Sequence, residues 1–201
     1  MKLENVVVFC GSSMGFGEKY QTAAKALGHY FAENGISLVY GGGKVGLMGV
    51  TADAVLEKNG TAIGVIPGLL KEEEVMHNAL TEMVVTETMS ERKVVMSKMI
   101  DAYVTMPGGF GTLDELFEAL TLQQLHIEQK PVGLLNVEGF FDPVLEQLDR
   151  MVKEGFLKPE NRALLLVAAT VPELMDQLRN YTAPKVEAII NKVVKKNDDK
   201  L

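Results

Sequence analysis

Ala102-Tyr103-Val104-Thr105-Met106-Pro107-Gly108-Gly109-Phe110-Gly111-Thr112-Leu113-Asp114-Glu115 joins an apolar run to a glycine turn and then to an apolar-periodic stretch. That order reads as strand, tight turn and helix start. Three glycines let the backbone approach a ligand closely, with N–H groups free at the turn and the helix start. The place suits a phosphate. Glu115 adds a carboxylate about one turn inside the helix, which few phosphate cradles need, and this combination points to chemistry on a sugar phosphate or nucleotide.

Outward from this segment the pattern repeats. Apolar runs Val6–Cys10, Ser37–Tyr40, Ala62–Ile66, Met83–Val85, Ala102–Met106, Val132–Leu135 and Leu164–Ala168 alternate with helical stretches. The helical stretches are Glu18–Asn34, Leu47–Lys58, Arg92–Met99, Thr112–His126, Pro143–Glu154 and Pro172–Asn180. Continuous apolar strands are buried on both faces, and alternation with helices predicts an α/β fold with a doubly wound parallel sheet flanked by helices. Lys71–Ala79 is charged and lacks a clear period, so a surface loop or short helix is expected there. Residues 1–181 read as one nucleotide-binding domain. Residues 182–201 read as a last helix, with Val186, Ile189, Ile190, Val193 and Val194 at helical spacing, and a frayed charged end.

The chain has 201 residues, 47% hydrophobic and 23% charged, enough for a sizeable core. Its net charge of −7 argues against nucleic acid and anionic membranes as partners. An acidic protein that binds an anion must gather cations locally, and Lys44, Arg92 and Lys93 lie near glycine turns. The lone Cys10 excludes an intramolecular disulfide and reads as a buried thiol. The first apolar run is too short for a signal or spanning segment, so a cytoplasmic location is expected.

Glycine turns follow four of the strands: Gly11-Ser12-Ser13, Gly41-Gly42-Gly43-Lys44-Val45-Gly46, Pro67-Gly68 and Pro107–Gly111. In a parallel sheet these turns share one edge, where ligands bind at the point of strand-order reversal. Gly41, Gly43 and Gly46 match G-x-G-x-x-G, but the motif follows the second strand and no ribose-binding acid ends the next one. Gly43-Lys44 is not a Walker A loop, because Val45 stands where Ser or Thr should hold magnesium.

Each candidate also has a plain structural reading. Ser90 resembles an N-cap, which would make Arg92-Lys93 a solvated pair on a helix. Alternatively, Arg92 clamps a phosphate or carboxylate in the crevice. Thr112-x-x-Glu115 spells a capping box, so Glu115 could serve only the Thr112 N–H. Glu118 lies one turn on from Glu115 on the same face. Met48 and Met89 could pack on a base, though core filling is the usual role of methionine. His29, His77 and His126 show no metal-helix spacing.

The stretch Pro107–Glu115 reproduces the P-G-G-x-G-T-x-x-E signature, and Met89-Ser90-Glu91-Arg92-Lys93 the M-x-x-R-K element, so the sequence resembles the LOG ("lonely guy") family. Cys10–Ser13 and Tyr40–Gly49 are similar to two further turns of that family, and the likeness runs from about Val6 to Ala169. The resemblance implies a Rossmann-like fold and a homodimer, or a higher even oligomer, with active sites near the interface. It implies hydrolysis of the N-glycosidic bond of N6-modified adenosine monophosphates without metal or cofactor. It also implies catalytic roles for Arg92 and Glu115.

Substrate contacts are then expected from Gly11, Ser12, Gly42, Gly43, Met89, Lys93, Gly108, Gly109, Gly111, Thr112 and Glu118. The lysine decarboxylase label often given to the family finds no support, because no lysine here sits in a recognisable cofactor context. A nucleotide binder or cofactor carrier of the same architecture is the alternative. It would need the glycine turns but not the carboxylate.

Overall fold

In the computed structural model, which describes residues 1–70 and 76–183, the apolar runs become strands whose side chains alternate between two cores. Strand β1 (Asn5–Phe9) sends Val6 and Val8 to one side and Val7 and Phe9 to the other. The remaining strands are β2 (Ser37–Tyr40), β3 (Ala62–Pro67), β4 (Glu82–Thr86), β5 (Ala102–Thr105), β6 (Val132–Leu135) and β7 (Leu165–Ala168). They form one seven-stranded sheet in the order β4-β3-β2-β1-β5-β6-β7, and every pairing is parallel. This is the expected doubly wound, Rossmann-like sheet. Each apolar run agrees with its strand to within a residue or two.

Helices cover both faces. Ala24, Leu27 and Phe31 of α1 (Glu18–Glu33) pack in the first core with Leu47, Ala52 and Val55 of α2 (Gly46–Glu57). Leu174 and Leu178 of α7 (Val171–Arg179) complete that layer. The second core holds Met96 of α3 (Met89–Met99), Leu116 and Ala119 of α4 (Phe110–Gln124) and Leu148 of α5 (Asp142–Lys153). A four-residue α6 (Pro159–Arg162) leads into β7. Burying a side chain the size of Phe31 or Leu116 contributes roughly 1.5–3 kcal/mol, so each layer is held chiefly by its apolar face.

Two helix starts differ from the sequence expectation. Helix α3 begins at Met89 and its cap is Thr88, not Ser90. Thr88 is extended, and its hydroxyl accepts from the Glu91 N–H at 3.1 Å while the Glu91 carboxylate accepts from the Glu87 N–H at 2.7 Å. Thr88-x-x-Glu91 is therefore the capping signal. Helix α4 begins at Phe110, with Gly109 as its cap. Thr112 then lies inside the first turn, and the Thr112/Glu115 capping box does not form. Met89 is exposed rather than part of the core. Of the Lys71–Ala79 stretch, the described part is loop. The expected helix from Lys185 lies outside the described residues.

The strand order reverses between β1 and β5, so the connections that follow them run to helices on opposite faces of the sheet, α1 and α4, and a crevice opens where they part. The edge strand β4 connects to β5, beside the central β1, through α3, which packs over β2, β3 and β4. That crossover carries Arg92 to the C-terminal ends of β2 and β3. On the other layer, α1 packs closely on α2 at Gly28. A Cβ there would lie 2.5 Å from the Thr51 carbonyl oxygen and 2.7 Å from the Ala54 Cβ. Gly28→Ala should therefore lower stability by about 2 kcal/mol in urea denaturation, because overpacking outweighs the gain in helix propensity. Unchanged or higher stability would contradict this packing.

Candidate active site

At the strand-order switch two glycines, Gly108 and Gly46, have no room for a Cβ. The Gly11 N–H donates to the Pro107 carbonyl at 3.0 Å, which ties the end of β1 to the turn after β5. A Cβ on Gly108 would meet the Thr112 hydroxyl at 2.1 Å and the Gly11 nitrogen at 2.8 Å. Gly46, at φ 69°, lies so close to the Ser12 backbone that a Cβ would fall 2.2 Å from its carbonyl carbon. Around these contacts opens a crevice of about 250 Å³, lined by Gly11, Ser12, Ser13, Tyr20, Leu47, Pro107, Gly108, Gly109 and Phe140.

Helix α4 enters this crevice with an N-terminus that no side chain caps. Gly109, Phe110 and Gly111 are exposed there. Glycine at the cap leaves the first-turn N–H groups free, at the positive end of the helix dipole. Free N–H groups at the positive end of a helix suit an anion.

Glu115 lies farther down α4, on the side facing α3. Arg92 Nη1 stands 3.6 Å from its Oε1, and both side chains are only 13% exposed. Arg92 is fixed by three further contacts. Its Nε donates to the Val65 carbonyl at 3.0 Å, its Nη1 lies 3.3 Å from the Met89 sulfur, and a Cβ on Gly41 would sit 2.5 Å from Nη2. Arg92 is thus not a solvated surface cation. Burial raises the Glu115 carboxyl to about 7, outweighing the opposing pull of Arg92 and Lys93.

The other expected residues divide by location. Gly11, Ser12, Gly108 and Gly109 line the crevice, with Gly111 and Thr112 in the first turn of α4 beside it. Gly42 and Gly43 lie in the neighbouring turn, bordered by Met76 and His77. Lys93 is committed to acids of α4, with its Nζ 2.7 Å from Asp114 and 2.5 Å from Glu118. Burial acts most strongly on Lys93 and lowers it, but its bonds to Asp114 and Glu118 together leave its pKa raised. Glu118 is therefore paired, unlike a free sugar ligand. Lys44 is exposed, and Cys10 is buried.

Sequence reasoning missed Gly41 as a contact of Arg92, although its place in the glycine run was a signal. It also missed a groove of about 280 Å³ between α3 and α4. Glu115 and Lys93 line this groove. So do Ser97, Tyr103 and Glu128, and the Glu128 carboxylate accepts hydrogen bonds from both hydroxyls. Their wide sequence separation left no pattern to find. Among the described residues no cluster of three or more His, Cys, Asp or Glu could hold a metal, and no helix is long and apolar enough to cross a membrane.

The raised carboxyl has a consequence for stability. A group whose folded pKa exceeds its unfolded value of about 4.5 favours the fold when neutral, and that contribution is lost as pH rises through the folded value. Glu115→Gln stays neutral throughout. The stability of this variant relative to the parent should therefore rise between about pH 4.5 and 7, by up to about 3 kcal/mol, and level off above. Urea denaturation across that range checks this, and a constant or falling difference would contradict it.

The sequence profile of a family described as "Possible lysine decarboxylase" matches residues 48–178. The cytokinin riboside 5′-monophosphate phosphoribohydrolase LOG of Oryza sativa subsp. japonica is 44% identical over 180 residues, 90% of this chain and 74% of that protein. LOG2 of Arabidopsis thaliana, of the same named activity, is 41% identical over 193 residues, 96% of this chain and 90% of its own length. Among solved structures, the molybdenum cofactor carrier protein of Chlamydomonas reinhardtii superposes with a TM-score of 0.66 at 23% identity, covering 89% of this chain and 97% of that one. That likeness shows the fold alone. The signature helix and its arginine thus sit in a chain that matches its named relatives at more than two-fifths of the aligned residues, and the chain is an enzyme of the LOG family.

Proposed function

We propose that this enzyme hydrolyses the N-glycosidic bond of adenosine 5′-monophosphates, with or without an N6 substituent, releasing the free base and ribose 5-phosphate. The observation that carries the reading is the buried Arg92–Glu115 contact of 3.6 Å beside the uncapped N-terminus of α4. The activity named for the relatives at 41–44% identity supports it. A carrier role rests only on a shared fold at 23% identity and gives no use for a carboxylate paired with arginine.

In this mechanism the 5′-phosphate rests on the free N–H groups of Gly109–Thr112, with the Gly11-Ser12 turn as the opposite wall. Binding there anchors a part of the substrate remote from the reacting carbon. The bond from C1′ to the base nitrogen breaks, its electron pair leaves with the base, and positive charge develops on the ribose. The Glu115 carboxylate stabilises that charge, orients the ribose hydroxyls and accepts a proton from the attacking water. The water oxygen bonds C1′, and the departing base takes up a proton. A carboxyl poised near neutrality suits proton transfer in both directions. Arg92, held flat against Gly41, directs its planar fork at the base or the reacting sugar. The exposed Met89 beside it offers a surface for the base.

We also propose that the enzyme works as a homodimer. Val94 of α3, Phe117 of α4 and Ile127 are exposed apolar residues close to the groove between the two helices. An isologous contact through this face would cover them and close the groove.

Three outcomes follow. Chromatography should show free adenine released from AMP with a kcat/KM at least about 100-fold above that for adenosine, because the nucleoside forfeits the phosphate anchor. Equal values would remove the anchor. Arg92→Lys keeps the charge and loses the fork, and should lower kcat/KM at least tenfold, about 1.4 kcal/mol, whereas a change under about threefold would leave Arg92 no role in the transition state. Light scattering should give twice the chain mass of 22.0 kDa, or a higher even multiple. An active monomer would contradict the dimer.

A further inference from the structure

Ahead of β4, Met76 and His77 lie against the second glycine turn. Met76 forms an isolated antiparallel bridge with Gly43, and the His77 N–H donates to the Gly42 carbonyl at 3.0 Å. The His77 side chain is 3% exposed and takes no part in the mechanism above. Its Nε2 lies 2.9 Å from Oδ1 of Asp53 on α2, and its Nδ1 accepts from the Ala79 N–H at 3.2 Å. A nitrogen that accepts a backbone N–H carries no proton, so Nε2 is the protonated one and donates to Asp53. The ring thus rivets this segment to α2.

The turn it covers leads directly to the active site. Gly42, at φ 79°, packs on Gly64 and Met83, where an added Cβ would lie 3.2 Å from the Met83 sulfur. Gly41, one residue earlier, is the wall against which the Arg92 guanidinium lies. Arg92 has a single side-chain hydrogen bond to backbone, from Nε to the Val65 carbonyl, so its other face depends on where the Gly41–Gly43 backbone stands.

We propose that His77 is a positioning residue for Arg92: through Asp53 it fixes the 76–79 segment, and that segment fixes the glycine wall behind the guanidinium. The kinetic consequence rests on the hydrolase reading above, but the positional one does not. A displacement of the order of 1 Å at a catalytic group can cost up to about 100-fold in rate, so a smaller slackening of this wall is expected to be visible in kcat.

The test has two arms. In ¹⁵N-labelled protein, the Arg92 Nε–H resonance is assigned by its loss in Arg92→Lys. In His77→Ala this resonance should shift and exchange with water at least about tenfold faster, as a locally loosened hydrogen bond does. Asp53→Ala breaks the same contact from its exposed end, at little risk to folding, and should give the same change. The double variant should be no worse than His77→Ala, since with the ring gone Asp53 has no contact left to lose. His77→Gln, which can still donate to Asp53, should remain near the parent.

With AMP as substrate, His77→Ala and Asp53→Ala should lower kcat about tenfold and leave KM within about twofold, because the group displaced acts in the transition state. An unmoved Arg92 resonance in Asp53→Ala overturns the proposal. So does a lowered melting temperature with unchanged kcat, or equal damage in His77→Gln and His77→Ala. If the parent releases no base from any nucleotide, the hydrolase reading fails, and the resonance alone decides the positional claim.

Discussion

Everything at the catalytic edge depends on one steric constraint: three turns share a volume with no space for a Cβ. Gly108 must lack a side chain for Thr112 and Gly11 to approach it, Gly46 for the Ser12 backbone, and Gly41 for the Arg92 guanidinium. The hydrogen bond from Gly11 to Pro107 closes the first of these contacts. Parallel strand order brings the turns to one edge, and the reversal between β1 and β5 opens the crevice among them. Gly108, Gly46 and Gly41 are therefore needed for packing, whereas Gly109 and Gly111 have open space around them. A substitution at Gly108, Gly46 or Gly41 displaces the segment packed against it.

The electrostatics follow from that packing. Seating Arg92 and Glu115 away from water costs desolvation, and at 3.6 Å their attraction only partly offsets it. Burial is the larger effect on Glu115, and its carboxyl is left titrating near neutrality instead of near 4.5. Lys93 resolves the same conflict differently. Its two acid partners keep it charged, so it balances the acidic face of α4 without neutralising Glu115. A strained charge arrangement that costs stability and sits in a crevice is what an acid–base site requires.

Much of this was legible in the sequence because it is local or periodic. Seven apolar runs marked seven strands, and strand-turn-helix order at Pro107–Glu115 placed a glycine turn and a helix start after β5. Cap assignments went astray where two readings of one short pattern competed. Thr112-x-x-Glu115 spells a capping box, but Gly109 allows the helix to begin earlier and frees Glu115 to face Arg92. Ser90 looked like a cap although Thr88-x-x-Glu91 carried the stronger pattern two residues upstream. The contacts that no spacing could reveal join distant segments: Arg92 to Val65, His77 to Asp53, and Glu128 to Tyr103. Each requires knowledge of which strand lies beside which.

The central claim is that the Glu115 carboxylate, next to Arg92, carries the cleavage of the glycosidic bond. The most direct test is the rate of adenine release from AMP by Glu115→Gln, a substitution of nearly equal size that removes only the charge and the titration. The account predicts a loss of at least about 100-fold in kcat, the lower end of what proton transfer by a positioned group contributes. A variant that stays folded and releases adenine within about threefold of the parent rate would show that the carboxylate is not needed, and the assignment of the site would fall with it.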